Sequence, residues 1–92
     1  MDNRQVAQRL IAYANYLDGR EGNLYRIRAY RRAAETVLAL ERPLSEVIAA
    51  EGRAGLEGLP GIGSHLSYTV EQLVCTGEFR LLTGDEVGSR RP

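Results

Sequence analysis

Leu59-Pro60-Gly61-Ile62-Gly63-Ser64 sets an apolar residue, a proline and two glycines around one aliphatic side chain, directly ahead of a new helical pattern. Without a Cβ, Gly61 and Gly63 can both take positive φ, so the spacing predicts a tight turn with bare N–H groups on its outer side. Ser64 is placed to cap the helix that follows. Those N–H groups, with the positive end of a helix starting at His65, make a concave site suited to a phosphate oxygen. Ile62, held between the glycines, is expected to point inward and pin the turn to the core. Read alone, such a turn is more often no more than a join between two helices.

Working outward, Gly55-Leu56-Glu57-Gly58 before the turn and Leu66, Val70 and Leu73 after it predict a short helix, a glycine hairpin and an amphipathic helix. That succession resembles the helix-hairpin-helix motif, whose members bind the DNA backbone without reading sequence.

Upstream, Asp2 or Asn3 can cap a first helix, with Gln5 near the capping-box position. Val6, Leu10, Tyr13, Ala14 and Leu17 then recur at steps of three and four and define one apolar stripe, ending at Asp18-Gly19. A turn over 19–23 leads to Asn23, which can cap a second helix over 24–41. At about 100° per residue, Ile27, Tyr30, Ala33, Ala34, Val37 and Leu40 share one side of it, while Arg28, Arg31 and Arg32 cluster on the other. Arg26 sits in its first turn, nearer the apolar edge. Pro43 suits the first turn of a third helix, Leu44 to Glu51, which Gly52 stops. A short helix over 53–57 precedes the hairpin, and the helix after it, His65 to Thr76, is closed by Gly77. Phe79, Leu81 and Leu82 are expected to fold back as a last half-turn against the core. The residues from 84 to 92 read as a disordered tail, which leaves one all-α domain over 1–83 with four main helices and a short one.

Ninety-two residues suffice for a single small core, and no run approaches the roughly 20 apolar residues of a membrane span. Cys75 is the only cysteine, so no internal disulfide can form, and one Cys with one His, His65, cannot build the usual zinc site. The opening residues lack the pattern of a signal peptide, which points to a soluble intracellular chain. Formal net charge is zero, against the basic balance of strong nucleic-acid binders. Distribution answers this in part, because 24–34 holds four arginines (26, 28, 31 and 32) and no acid. All twelve basic residues are arginine. Such arginines can form a solvated face, with Arg31 and Arg32 pairing with nearby Glu35, or a strip that grips phosphate oxygens in pairs. Tyr25 and Tyr30 could stack on an unpaired base or fill the core.

The run Asn23-Leu24-Tyr25-Arg26-Ile27-Arg28-Ala29-Tyr30-Arg31-Arg32-Ala33-Ala34-Glu35, followed later by Leu59-Pro60-Gly61-Ile62-Gly63, resembles the N-terminal domain of family X DNA polymerases over roughly residues 3–83. It is similar, too, to the front of the smaller polymerase-like helix-hairpin-helix proteins of bacteria. The resemblance implies an all-helical module that binds single-stranded, gapped or 5′-phosphorylated DNA in repair, in a bacterial cytoplasm beside the nucleoid. By position, it implies that the amides of Gly61, Ile62 and Gly63 meet a phosphate and that carbonyls of Glu57, Leu59 and Ile62 bind Na+ or K+. It also implies phosphate ligands at Arg26 and His65, a pocket tyrosine at Tyr30 and a basic pair at Arg31 and Arg32. Some members are 5′-deoxyribose-phosphate lyases, which need a lysine amine to form an imine; that position is Thr69 here, and the chain has no lysine.

The expected function is therefore non-catalytic, sequence-independent binding of the DNA backbone through Gly61, Ile62, Gly63, Ser64, His65 and the helix-two residues Arg26, Arg28, Tyr30, Arg31 and Arg32. Three or four phosphate contacts give a log-log salt slope of about −2 to −4. The alternative is a protein-protein interaction module that has lost DNA binding.

Overall fold

The computed structural model describes residues 1–20 and 22–82, and the expected tail over 84–92 lies outside them. Four helices follow in order, α1 (Asn3–Arg20), α2 (Leu24–Ala39), α3 (Leu44–Glu57) and α4 (Ser64–Thr76). α1 and α2 pack along each other, α3 packs on α4, and α1 also reaches α4. One core joins the pairs: Val6, Leu10 and Leu17 meet Ile27, Ala33 and Val37, with Leu44, Leu56, Ile62, Val70 and Leu73 completing it.

Local chemistry explains most of the boundaries. Asp2 and Gln5 form a reciprocal capping box, the Gln5 amide donating to Asp2 Oδ1 (2.8 Å) and the Asp2 amide to Gln5 Oε1 (2.9 Å). α1 runs to Arg20, past the expected stop at Asp18-Gly19. The reversal comes at Gly22, whose φ of 66° lets its N–H reach the Leu17 carbonyl at 3.1 Å. Asn23 caps α2 through its Oδ1 on the Arg26 amide. α2 ends at Ala39 rather than at residue 41, because Leu40 turns extended (φ −71°, ψ 128°) and leads into Pro43. Gly77 closes α4 as expected, left-handed with its N–H on the Leu73 carbonyl.

α3 is helical on both sides of Gly52, which stands at φ 67°, ψ −161°. The expected stop and the expected short helix over 53–57 are thus two arms of one interrupted element. Pro43 sits at the N-cap of α3, not in its first turn, and can offer no side-chain cap. Asn3 supplies it from the start of α1: Oδ1 accepts from the Leu44 amide (2.9 Å) while Nδ2 donates to the Arg42 carbonyl (3.0 Å). Residues 78–82 return to the core without forming the expected half-turn. Phe79 is laid against Tyr13 (ring centroids 4.7 Å apart) and Tyr30 (6.3 Å), in a cluster where Tyr13 meets Tyr30 edge-on at 4.8 Å.

Candidate nucleic-acid interface

The hairpin is held from below and open above. Ile62 is buried, as its place between the glycines predicts, and its N–H donates back to the Leu59 carbonyl at 3.1 Å. The expected phosphate contact through the Ile62 amide is therefore corrected, since that hydrogen closes the turn itself. A tie invisible in the local sequence fixes the turn to α2, the Thr36 hydroxyl donating to the Pro60 carbonyl at 2.7 Å.

Only Gly61 takes positive φ (77°); Gly63 is extended at φ −96°, ψ −163°. Gly63, not Ser64, is the N-cap of α4, and it caps with backbone alone, its carbonyl accepting from the Ser67 amide at 2.8 Å. Ser64 becomes the first helical residue and makes no side-chain cap. The correction matters for chemistry, because a capping side chain would occupy amides that a ligand needs. Among the described residues the N–H groups of Gly61, Gly63, Ser64 and His65 meet no protein acceptor. They lie where the positive end of the α4 dipole is strongest.

These amides open into a cavity of about 510 Å³ between the hairpin, α2, α4 and the returning segment. Arg26, Tyr30 and His65 line it, with Ala29, Leu66, Leu81 and Leu82 as its apolar surfaces. Beside it lies a second hollow lined by Arg28 and Arg32, sharing Tyr25, Ala29 and Gly61 with the first. Arg32 crosses the hairpin so closely that a Cβ on Gly61 would stand 2.9 Å from its Nε. Among the described residues no acidic side chain lines either hollow.

The helix-two residues separate into distinct environments. Arg28 and Arg32 face the hairpin, and neither has a protein hydrogen bond or ion pair among the described residues. Arg26 donates to the Tyr13 hydroxyl at 3.3 Å and has a further interaction beside it. Arg31 turns toward α1, reaching Asn15 Oδ1 (3.2 Å) and Asp18 (3.7 Å), so its ion pair is with Asp18 rather than the nearby Glu35. Tyr25 is 84% exposed and free to offer a ring face, whereas Tyr30 is buried at the cavity floor. Burial pushes the Tyr30 phenol above its ordinary pKa and the neighbouring Tyr13 adds to this, with the Arg26 guanidinium opposing. Thr69 is 1% exposed and its hydroxyl donates to the Arg80 carbonyl at 2.8 Å.

On the other side of the turn, the Glu57 and Ile62 carbonyls accept no protein hydrogen bond among the described residues, and the Leu59 carbonyl accepts one, from Ile62. The Glu57 carboxylate lies 3.2 Å from the buried Ser67 hydroxyl and pairs with Arg53 at 3.7 Å.

Fold and site together define a small all-helical module in which a glycine hairpin opens the unfilled N-terminal end of a helix into a cavity. Residues 1–79 match the model of the helix-hairpin-helix domain family, and the chain belongs to that family. Its domains commonly bind DNA non-specifically. No curated protein and no solved structure matches the chain. Among the described residues no helix is long and apolar enough to cross a membrane.

Proposed function

We propose that this domain is a non-catalytic DNA-binding module of repair, similar in use to the polymerase X front domain, that holds a strand by its phosphates and receives a 5′-phosphate end in the hairpin cavity. The observation that carries the reading is the pair of adjoining hollows in which the open amides of Gly61, Gly63, Ser64 and His65 stand beside Arg28 and Arg32, two arginines with no acidic partner among the described residues, with Arg26 in the same lining. A phosphate at the hairpin accepts main-chain hydrogens while guanidiniums take the neighbouring phosphates in paired bonds. Tyr25, exposed at the edge of both hollows, offers an unpaired base a stacking face. None of these contacts reads a base edge, so sequence preference is weak. With two or three arginines engaged on a single strand, the log-log salt slope is about −1.4 to −2.1.

Thr69 supports the non-catalytic part of the reading. Its hydroxyl cannot form an imine, it is buried, and it is committed to the Arg80 carbonyl. Borohydride trapping on an abasic 5′ end should give no covalent adduct. The Glu57, Leu59 and Ile62 carbonyls suit a hard monovalent cation, and two of them lack protein donors among the described residues. DNA affinity should then be higher in K+ or Na+ than in tetramethylammonium at equal ionic strength.

The test of the main reading is a fluorescence-anisotropy titration of a 5′-phosphorylated single strand at several salt concentrations. Gly61→Asp with Arg32→Glu should abolish binding. Affinity indifferent to salt, or unchanged in that double variant, would sink the reading in favour of a protein-binding module.

A further inference from the structure

Residues 78–82 belong to no helix, yet the last two of them, Leu81 and Leu82, wall the hairpin cavity. The wall is fixed at two points. Phe79 packs into the Tyr13–Tyr30 cluster, and one residue later the Arg80 carbonyl accepts the Thr69 hydroxyl at 2.8 Å. Thr69 is a fully buried polar side chain in the middle of α4, where an apolar residue would pack as well and cost nothing in desolvation. Its hydroxyl also lies 3.4 Å from the His65 carbonyl one turn back, a longer and weaker contact than the one to Arg80. Immediately beyond that bond, Leu81 and Leu82 line the cavity that the hairpin also lines. Arg80 itself points away and pairs with Glu78 at 2.6 Å, so the segment's charge is spent outside and its leucines inside.

We propose that Thr69 is a positioning residue: by holding the Arg80 carbonyl it fixes Leu81 and Leu82 as an apolar wall that makes the hairpin cavity selective for a strand end over an interior phosphate. The proposal rests on the DNA-binding reading above. An interior phosphate carries nucleotides on both sides, and a strand running through the cavity would press its next phosphate against two leucines, stripped of water and without a partner. A 5′-terminal nucleotide has no such continuation. Its phosphate meets the amides, and its sugar or base lies on the leucine side.

Two measurements test this. Trypsin cuts after Arg80, and the scissile carbonyl is the one Thr69 holds, so Thr69→Val should be cut there about two- to tenfold faster, the span of one hydrogen bond's net contribution. Thr69→Ser, which keeps the hydroxyl, should be cut like the unaltered protein. In anisotropy competition the unaltered protein should prefer a linear 5′-phosphorylated strand to a circular single strand of equal length. Thr69→Val should lose that preference while binding the circle as before, and Thr69→Ser should restore it. Equal cleavage in all three proteins, or an end preference that survives in Thr69→Val, overturns the proposal. An unaltered protein that binds the circle without preferring ends overturns this proposal and the 5′-end part of the reading above but leaves strand binding by phosphates standing; one that binds neither strand removes the DNA-binding reading as a whole.

Discussion

Substituting the two hairpin glycines separately should give opposite results, because they occupy different backbone conformations. Gly61 stands at φ 77°, and an added Cβ would meet Arg32 at 2.9–3.0 Å along its side chain. Left-handed backbone costs an L-residue about 1–2 kcal/mol. Arg32 is exposed and can swing aside, so backbone strain dominates the stability change. At about 4–8 °C per kcal/mol for a domain of this size, Gly61→Ala should melt roughly 4–16 °C lower. Gly63 is extended and its Cβ would meet nothing within 4 Å. There alanine mainly restricts the unfolded chain, which stabilises by about 0.4–1 kcal/mol at a compatible position, so the melting temperature should hold or rise by a few degrees. Binding follows a different order. Gly61→Ala loses DNA affinity because Arg32 is displaced from the hairpin, and Gly63→Ala loses it because a methyl group crowds the phosphate's approach to the open amides. Circular-dichroism melts and anisotropy titrations read the two effects separately. Equal melting temperatures for the two variants would refute the assigned backbone conformations, and undiminished DNA affinity in Gly63→Ala would refute the close approach of backbone to ligand.

Three further outcomes follow from single contacts. Asn3→Ala removes the side-chain cap of α3 and should lower stability by about 0.5–2 kcal/mol, measured by urea denaturation. Arg32→Gln should flatten the log-log salt slope by about 0.7–0.9, whereas Arg31→Gln, already turned toward Asp18, should leave the slope unchanged. Tyr30 has its folded pKa raised above the ordinary tyrosine value of 10.0, so the stabilisation from its neutral phenol is fully present below pH 10 and lost as pH rises through the higher folded value. Alkaline melts above pH 10 should therefore fall less steeply in Tyr30→Phe than in the unaltered protein.

What could be read from the chain was whatever a few neighbouring residues decide together. The Asp2–Gln5 box, the Asn23 cap, the interruption at Gly52 and the stop at Gly77 all have their partners within a turn. The inward Ile62 was legible for the same reason, as the one aliphatic residue between two glycines. Contacts that join distant segments were not. Asn3 on the Leu44 amide spans 41 residues, and Thr36 on the Pro60 carbonyl spans 24; both are ordinary polar residues until the helices pack. Helical projection put Arg28, Arg31 and Arg32 together, but which of them faces the hairpin depends on where α1 lies. The cap of α4 went to Gly63 rather than Ser64 because the extended backbone at Gly63 already aims its carbonyl at Ser67. Propensity favours serine there and does not register that geometry.

Zero net charge becomes compatible with a polyanionic ligand once the arginines are separated by partner. Arg31 is matched by Asp18, Arg42 by Glu51, Arg53 by Glu57 and Arg80 by Glu78, and none of these eight side chains lines the hairpin hollows. The pairs are exposed and add little stability individually. Their effect is on distribution: these four arginines are matched by acids outside the hollows, while Arg28 and Arg32, beside the hairpin, have no acidic partner among the described residues. Exposed charges are screened beyond about 10 Å at moderate salt, so a phosphate at Gly61 responds to the guanidiniums around it far more than to the total over the chain. A whole-chain count adds charges that a docked strand does not meet, and for a module with so small a contact surface the local sign governs binding.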